Sequence, residues 1–558
     1  MFSNLFSPLR IGSLELRNRI AMAPMGVEIV EGDGKVREPV VRYYDERARG
    51  GAGLLITENT AACYPRGANT AHEIGVSDDA FLPGLRSLTD AVHAHGTHIA
   101  IQLAHHGKVG RLDTIQGREV LMPSKPRPGQ GAPIGPLDLT PEEIGLMARA
   151  AGGGKPTVRE ATHEDLAQLV DDFAAAAERA RRAGFDAVEI HGAHGYIFSE
   201  FLSPAWNARE DEYGGSVENR ARLLCEVVRA CKERAGQDFP LWCRIDAREF
   251  RTEGGIELEH AERTAELLEA AGADAIHVSA YANPLGVGFT DAPIVHAEAG
   301  FVDFAAAIKK RVGVPVIAAG RIEPELGDRL IAAGRIDAVA MGRKLLADPE
   351  LPNKLATGRP EEVRPCIYCY VCVAQPFFDR TVRCAVNPVA ARELEFAEAL
   401  RSLAKEPRRV LVVGGGPAGM EAASVAALRG HRVTLVERSG QLGGTLRFAA
   451  LPYEPNERLL RWLEQRVRGL PIQLELGREV TPDLVRELAP DVVIAALGAR
   501  RERPEIPGAQ LSHVFDGDDL RGLLTGEGGE EAGAKLSLVA RLAVRAGRAT
   551  GVTSSPSR

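Results

Sequence analysis

Residues 187–204, AVEIHGAHGYIFSEFLSP, decide how this chain is read. The first seven are a short apolar run with the look of a buried strand, and they pass directly into a polar, glycine-bearing loop. Before them, residues 163–184 carry Leu166, Leu169, Val170, Phe173, Ala177 and Ala180 at helical spacing and stop at Gly184, so helix gives way directly to strand. The same alternation runs from about residue 19 to 360. Candidate strands are RIAMAPM (19–25), AGLLITENT (52–60), HIAIQLAH (98–105), AVEIHGA (187–193), PLWCRID (240–246), AIHVSA (275–280), PVIAAGRI (315–322) and AVAMGR (338–343). Parallel strands joined by helical crossovers, eight in number, predict a (β/α)8 barrel in an α/β chain. The stretch from His106 to about Val158 is long and rich in Pro and Gly, and reads as a partial lid over the end of the third strand.

Loops after barrel strands carry chemistry, so polar residues at strand ends draw attention. His191, His194 and Tyr196 follow the fourth strand. Two imidazoles beside a phenol can hold an oxygen gaining negative charge and supply a proton. The alternatives are packed histidines or a metal pair, and no carboxylate or third histidine sits close by in sequence to complete a metal site. Gln102 and Arg244 are polar residues in apolar strands, as the pyrimidine edge of a flavin requires; closing the barrel mouth is their plainer reading. Gly320–Arg321 and Gly342–Arg343 end strands seven and eight, where barrels often hold a phosphate.

After the barrel come Cys366, Cys369 and Cys372 in CIYCYVC, then Cys384 in RCAVNP. C-x2-C-x2-C with a fourth cysteine nearby suits an iron–sulfur cluster better than zinc, whose sites favour two separated C-x2-C pairs. Next, RRVLVVGGGPAGMEAASVAALRGHRVTLVERSG (408–440) gives strand, glycine turn, helix and strand. Gly414, Gly416 and Gly419 form G-x-G-x-x-G, with Glu437 where a ribose-binding acid belongs. No second such triplet follows, so no nicotinamide-binding domain is legible. The expected division is a barrel over 1–360, a cluster segment over 361–400, a partial Rossmann-like domain over 401–525, and a tail over 526–558 with a helix around Leu536–Ala546 and a frayed end.

With 558 residues, 45% hydrophobic and 26% charged, the composition is that of a globular protein of several domains. A net charge of −8 and few aromatics give no nucleic-acid footprint, and no apolar run has transmembrane length. With no signal-peptide pattern and scattered buried-type cysteines besides the four, a reducing cytoplasm is expected.

The barrel resembles the Old Yellow Enzyme flavin fold through NRIAMAPM (18–25), the HGAHGY run and Arg209–Arg220, RxDxYGGSxENR. The order of barrel, four-cysteine linker and dinucleotide domain is similar to that of the NADH:flavin oxidoreductases that include 2-enoate reductases, 2,4-dienoyl-CoA reductases and trimethylamine dehydrogenase. The resemblance implies FMN in the barrel, contacted also by Pro24 and Met25; a 4Fe-4S cluster on the linker; FAD or an ADP moiety in the second domain; and NAD(P)H as the electron source. Amine dehydrogenases of the group tether FMN through a cysteine just after the first strand, where this chain has Gly26. Dienoyl-CoA reductases lack the histidine pair and place a histidine after strand six, where this chain reads AYANPLG. The expectation is an ene-reductase acting on an enone, 2-enoate or enoyl-CoA; the alternatives are a 2,4-dienoyl-CoA reductase, or an electron-transfer subunit relying on a separate reductase. A homo-oligomer is a further expectation for partners.

Overall fold

Each of the eight runs is apolar because both faces of a barrel strand are buried, one by the interior and one by the helices. A computed structural model describes residues 2–126, 140–150, 152–250, 252–282, 298–499, 505–511, 513–525, 533 and 535–549. The strands are β1 (Ile20–Met22), β2 (Leu54–Ala61), β3 (His98–Ala104), β4 (Ala187–Gly192), β5 (Leu241–Phe250), β6 (Ile276–Ala282), β7 (Val316–Ala318) and β8 (Ala338–Ala340). Their parallel sheet closes because β1 pairs with both β8 (Val339 opposite Ile20) and β2 (Ala21 opposite Leu54). All eight predicted strands are present, in the predicted parallel barrel.

Successive strand residues face opposite ways, so positions two apart share the interior. Ala100, Ala187, Trp242, Ala275 and Ala338 fill the lower interior together with Leu9, Ile11, Leu14 and Leu16 of an N-terminal hairpin. Trp242 is wholly buried there among alanines, a large side chain filling what small neighbours leave.

In the lid segment, Val120–Met122 pairs in parallel with Val158–Glu160, and α1 (Pro141–Ala150) lies between them in sequence. Residues 127–139 of the predicted lid lie outside the described residues. The crossover helix α2 (His163–Arg182) starts at a capping box, with the Thr162 hydroxyl taking the Asp165 N–H and the Asp165 carboxylate taking the Thr162 N–H. It buries Leu166, Leu169, Phe173, Ala177 and Ala180. The loop after β4 leads into α3 (Ile197–Leu202).

The chain divides into two units, one of residues 1–360 and 368–394, the other of 361–367 and 395–558. Most of the cysteine segment therefore belongs with the barrel. Val382 N–H donates to Val27 O at 3.0 Å, Asn387 donates to Leu346 O, and buried Arg47 pairs with Glu393 at 2.7 Å. Within it, α4 spans Val371–Phe377.

In the second unit β9 (Arg409–Val413), β10 (Arg432–Glu437), β11 (Ile472–Leu476) and β12 (Val492–Ala495) form a parallel sheet in the order β11–β10–β9–β12. The glycine turn after β9 leads into α5 (Pro417–Leu428), a Rossmann-type βαβ unit. The predicted tail helix is α6 (Leu538–Ala549); the frayed end predicted beyond it, residues 550–558, lies outside the described residues.

Candidate active site

Following each strand upward in steps of two, the interior turns from apolar to polar. Ala100 gives way to Gln102, Ala187 to Glu189 and His191, Trp242 to Arg244 and Asp246, Ala275 to His277 and Ser279. These residues surround the mouth, and above them opens a cavity of about 560 Å³. Every barrel residue singled out from the sequence lines it: Pro24 and Met25 after β1, Gln102 on β3, His191, His194 and Tyr196 at the end of β4, Arg244 on β5, and Gly320, Arg321, Gly342 and Arg343 after β7 and β8. The lid contributes Lys108, Arg111, Ile144, Met147 and Ala148, an apolar wall with two cations.

His191 and His194 are one turn apart on a backbone bent by a left-handed residue, His194 at φ 64°. The bend is held by Asp246, whose Oδ2 accepts the His194 N–H at 2.6 Å and the Ser199 hydroxyl at 3.1 Å. His191 Nε2 lies 3.1 Å from His194 Nδ1, and His194 Nε2 lies 2.8 Å from Ser279 Oγ. Because His191 Nδ1 accepts the Ala193 N–H at 3.3 Å, its ring proton sits on Nε2, facing His194. Burial, reinforced by the Arg244 charge, drives both imidazoles well below the usual histidine range, so each is neutral with one N–H to give.

The Tyr196 ring packs 4.5 Å from His191 and 4.2 Å from His106. Its hydroxyl accepts a long hydrogen bond, 3.4 Å, from Asn59, and burial pushes its pKa up, so it holds its proton through the physiological range. Beside it lies Glu73, a cavity-lining acid which burial raises well above the usual carboxylate range, with Oε1 3.2 Å from His106 Nε2.

At the opposite end, Gly320 has φ +108°, a conformation in which L side chains are strained, and a Cβ on it would come within 3.0 Å of Phe301. Arg321 lies over the Tyr368 ring at 4.6 Å, and Arg343 lies 5.2 Å from Tyr368 and 5.0 Å from Tyr370. Lys344 donates to the Tyr368 hydroxyl at 2.6 Å, and that hydroxyl donates to Glu323 at 2.7 Å. The two tyrosines flank Cys369, both at positive φ (51° and 62°), so a strained turn in the cysteine run lays them against the arginines. Lys344, Tyr368 and Tyr370 went unread in the sequence, where the tyrosines are mere spacers between cysteines. Cys372 lines the same cavity; Cys369 is exposed, Cys366 and Cys384 half-buried, and none is in a disulfide.

In the second unit a Cβ on Gly419 would sit 1.9 Å from Gly414 O, whereas one on Gly416 would meet nothing within 4 Å. Gly419 thus packs helix on strand and Gly416 leaves the turn open at the start of α5, as a pyrophosphate there requires. Glu437 accepts the Gly415 N–H at 2.6 Å and the Ser439 N–H at 2.8 Å, bracing that turn.

Residues 4–362 match the model of the NADH:flavin oxidoreductase / NADH oxidase family, and residues 409–474 that of FAD dependent oxidoreductases. The chain belongs to the NADH:flavin oxidoreductase / NADH oxidase family. It is 40% identical to the NADH oxidase of Thermoanaerobacter brockii over 524 residues, 92% of this chain and 76% of that one. It is 36% identical to the cinnamate reductase of Clostridium sporogenes over 544 residues, 92% of this chain and 77% of that one. The structure of a 2-naphthoyl-CoA reductase with 2-naphthoyl-CoA superposes with a TM-score of 0.83 at 29% identity, covering 97% of this chain and 82% of that one. The protein is an NAD(P)H-dependent flavin oxidoreductase of the Old Yellow Enzyme and enoate reductase group.

The residues present fit the family's flavins. The Gln102 carbonyl oxygen is fully buried at the cavity, without a partner among the described residues, an acceptor awaiting a ligand donor. Arg321 and Arg343, beside two glycines, suit the phosphate of FMN, and the open turn at Gly416 suits that of FAD. Among the described residues no helix is long and apolar enough to cross a membrane.

Proposed function

We propose that this chain reduces the C=C bond of an α,β-unsaturated carbonyl compound, and that His191, His194 and Tyr196 carry the polar half of the reaction. The observation that supports this most is the facing of His191 Nε2 and His194 Nδ1 at 3.1 Å beside a buried, protonated phenol. Arg244 donates to Ser279 Oγ at 3.2 Å, which leaves the serine hydrogen free to turn to His194 Nε2. In that tautomer His194 carries its proton on Nδ1, and two N–H groups converge on one point. Two donors facing each other at 3.1 Å repel and leave no room between them, so a carbonyl oxygen seated on the cavity side of the pair would accept from both, and more strongly as it gains negative charge. Tyr196 then gives its proton to the α-carbon.

When bound, FMN in the mouth would supply the hydride for the β-carbon, and the thiols of Cys366, Cys369, Cys372 and Cys384 would hold a 4Fe-4S cluster which, with FAD, would serve as carrier for reducing equivalents from NAD(P)H. Four thiols are the donor set such a cluster takes, and Cys372 lies at the cavity wall. The lid's Ile144, Met147 and Ala148 favour an apolar or aryl substituent on the substrate, in keeping with relatives named for cinnamate and 2-naphthoyl-CoA. Cytoplasmic residence is part of this reading.

The test is product analysis. Cinnamate and 2-cyclohexenone, incubated anaerobically in D2O with the protein and NADH or NADPH, or dithionite where neither reduces it, should yield saturated products with solvent deuterium at the α-carbon, and at the β-carbon as well, because electrons that arrive singly through the cluster or from dithionite leave the flavin to take its hydrogen from solvent. Failure of every such combination to give saturated product would refute the proposal.

A further inference from the structure

Glu189 is a carboxylate wholly buried inside the barrel, on the strand that ends in the histidine pair. Its Oε2 accepts the Trp242 indole N–H at 2.6 Å and lies 2.8 Å from His277 Nδ1; its Oε1 accepts from Gln102 Nε2 at 2.6 Å. Sheet register makes this possible, because Gln102 and Trp242 stand directly beside Glu189 on the two neighbouring strands. Burial opposes the charge, but His277, Arg244 and Trp242 together outweigh it and hold the carboxyl below its usual range. A carboxylate can only accept. The nitrogen of the Gln102 amide must therefore point at Glu189, and its oxygen must point into the cavity.

We propose that Glu189 is a positioning residue that fixes the sense of the Gln102 amide, so that the carbonyl oxygen faces the cavity and selects a ring presenting an N–H there. The pyrimidine edge of a flavin offers one such group, N3–H, flanked by acceptors. A flipped amide would set NH2 against N3–H, donor against donor. The buried, partnerless Gln102 oxygen is what such a donor satisfies. Glu189 would also add a negative charge to the surroundings of a ring that becomes negative on reduction, opposing Arg244 in setting how readily a bound flavin is reduced.

The inference rests on FMN occupying the barrel, and its test separates the two. Holoprotein reconstituted with 15N-labelled FMN should show an N3–H signal protected from exchange with water. In Glu189→Gln that protection should be lost, FMN should bind about tenfold more weakly, the effect of one hydrogen bond, and the midpoint potential should move positive. Glu189→Asp, which keeps the charge, should retain the potential more closely. Wild-type flavin that is bound but whose N3–H exchanges as in free FMN would overturn the role of Glu189 and leave the barrel's flavin in place, even if the Gln variant fails to fold. Unchanged protection and potential in a folded Glu189→Gln would overturn it too. Wild-type protein unable to bind FMN would overturn both.

Discussion

Replacing Tyr196 by Phe removes one oxygen from the cavity and little else. The ring stays wedged between His106 and His191, at 4.2 and 4.5 Å, and the hydroxyl gives up only a 3.4 Å bond from Asn59. A neutral hydrogen bond of ordinary geometry contributes about 1 kcal/mol, and this one is longer, so the fold should lose less than that. On the proposed mechanism the reaction loses its general acid. Such groups contribute about 100- to 10,000-fold, so the barrier should rise by about 3–5 kcal/mol. Because burial pushes the phenol upward in pKa, the wild-type rate attributable to this donor should stay flat with rising pH, up to at least the ordinary tyrosine value of about 10. The assay is anaerobic stopped-flow: chemically reduced protein is mixed with cinnamate or 2-cyclohexenone and return of the oxidised flavin spectrum is followed. Flavin content, read before mixing, should match wild type. A Phe variant that holds its flavin and reoxidises at the wild-type rate would refute the proton-donor role.

Ser279→Ala removes the hydroxyl that can turn toward His194, so substrate affinity and rate should both fall, by about tenfold for one lost donor, in the same assay. Gly419→Ala, whose Cβ would lie 1.9 Å from Gly414 O, should abolish FAD retention while leaving FMN in the barrel, as flavin extraction and chromatography would reveal. Cys372→Ser should lower iron and acid-labile sulfide without removing FMN, read by metal analysis on anaerobic protein. Asp246 sits buried beside His194 and Glu249, with its carboxyl pushed up to about 7. The folded state therefore holds this proton more tightly than the unfolded chain. The stability this contributes is full below about pH 4 and is lost as pH rises toward 7, a change of up to about 4 kcal/mol. Asp246→Asn should flatten that fall in chemical denaturation between pH 5 and 8.

Barrel strands are legible one at a time, since each is buried on both faces and carries that fact in its own residues. Gln102 and Arg244 stood out for the same reason, as polar residues where apolar ones belong. Glu189 is equally out of place in AVEIHGA, yet its meaning is written in Gln102, Trp242 and His277, which lie 87, 53 and 88 positions away and meet it only through the sheet. Tyr368 and Tyr370 were hidden differently. In sequence they are spacers within a cysteine run, and nothing local announces the left-handed backbone that turns them onto Arg321 and Arg343. The lid was legible as a long Pro- and Gly-rich insertion, but the pairing of Val120–Met122 with Val158–Glu160 was not, since strands of three residues have too little pattern to read.

The proposed function depends on a flavin in the barrel mouth that passes reducing equivalents to an activated alkene held by His191 and His194. The most direct measurement is an anaerobic titration of the dithionite-reduced holoprotein, free of excess reductant, with cinnamate and with 2-cyclohexenone. The account predicts that at least one of them restores the oxidised spectrum of FMN with formation of the saturated product. A reduced flavin that stays reduced in the presence of both, and is reoxidised promptly when oxygen is admitted, would contradict it.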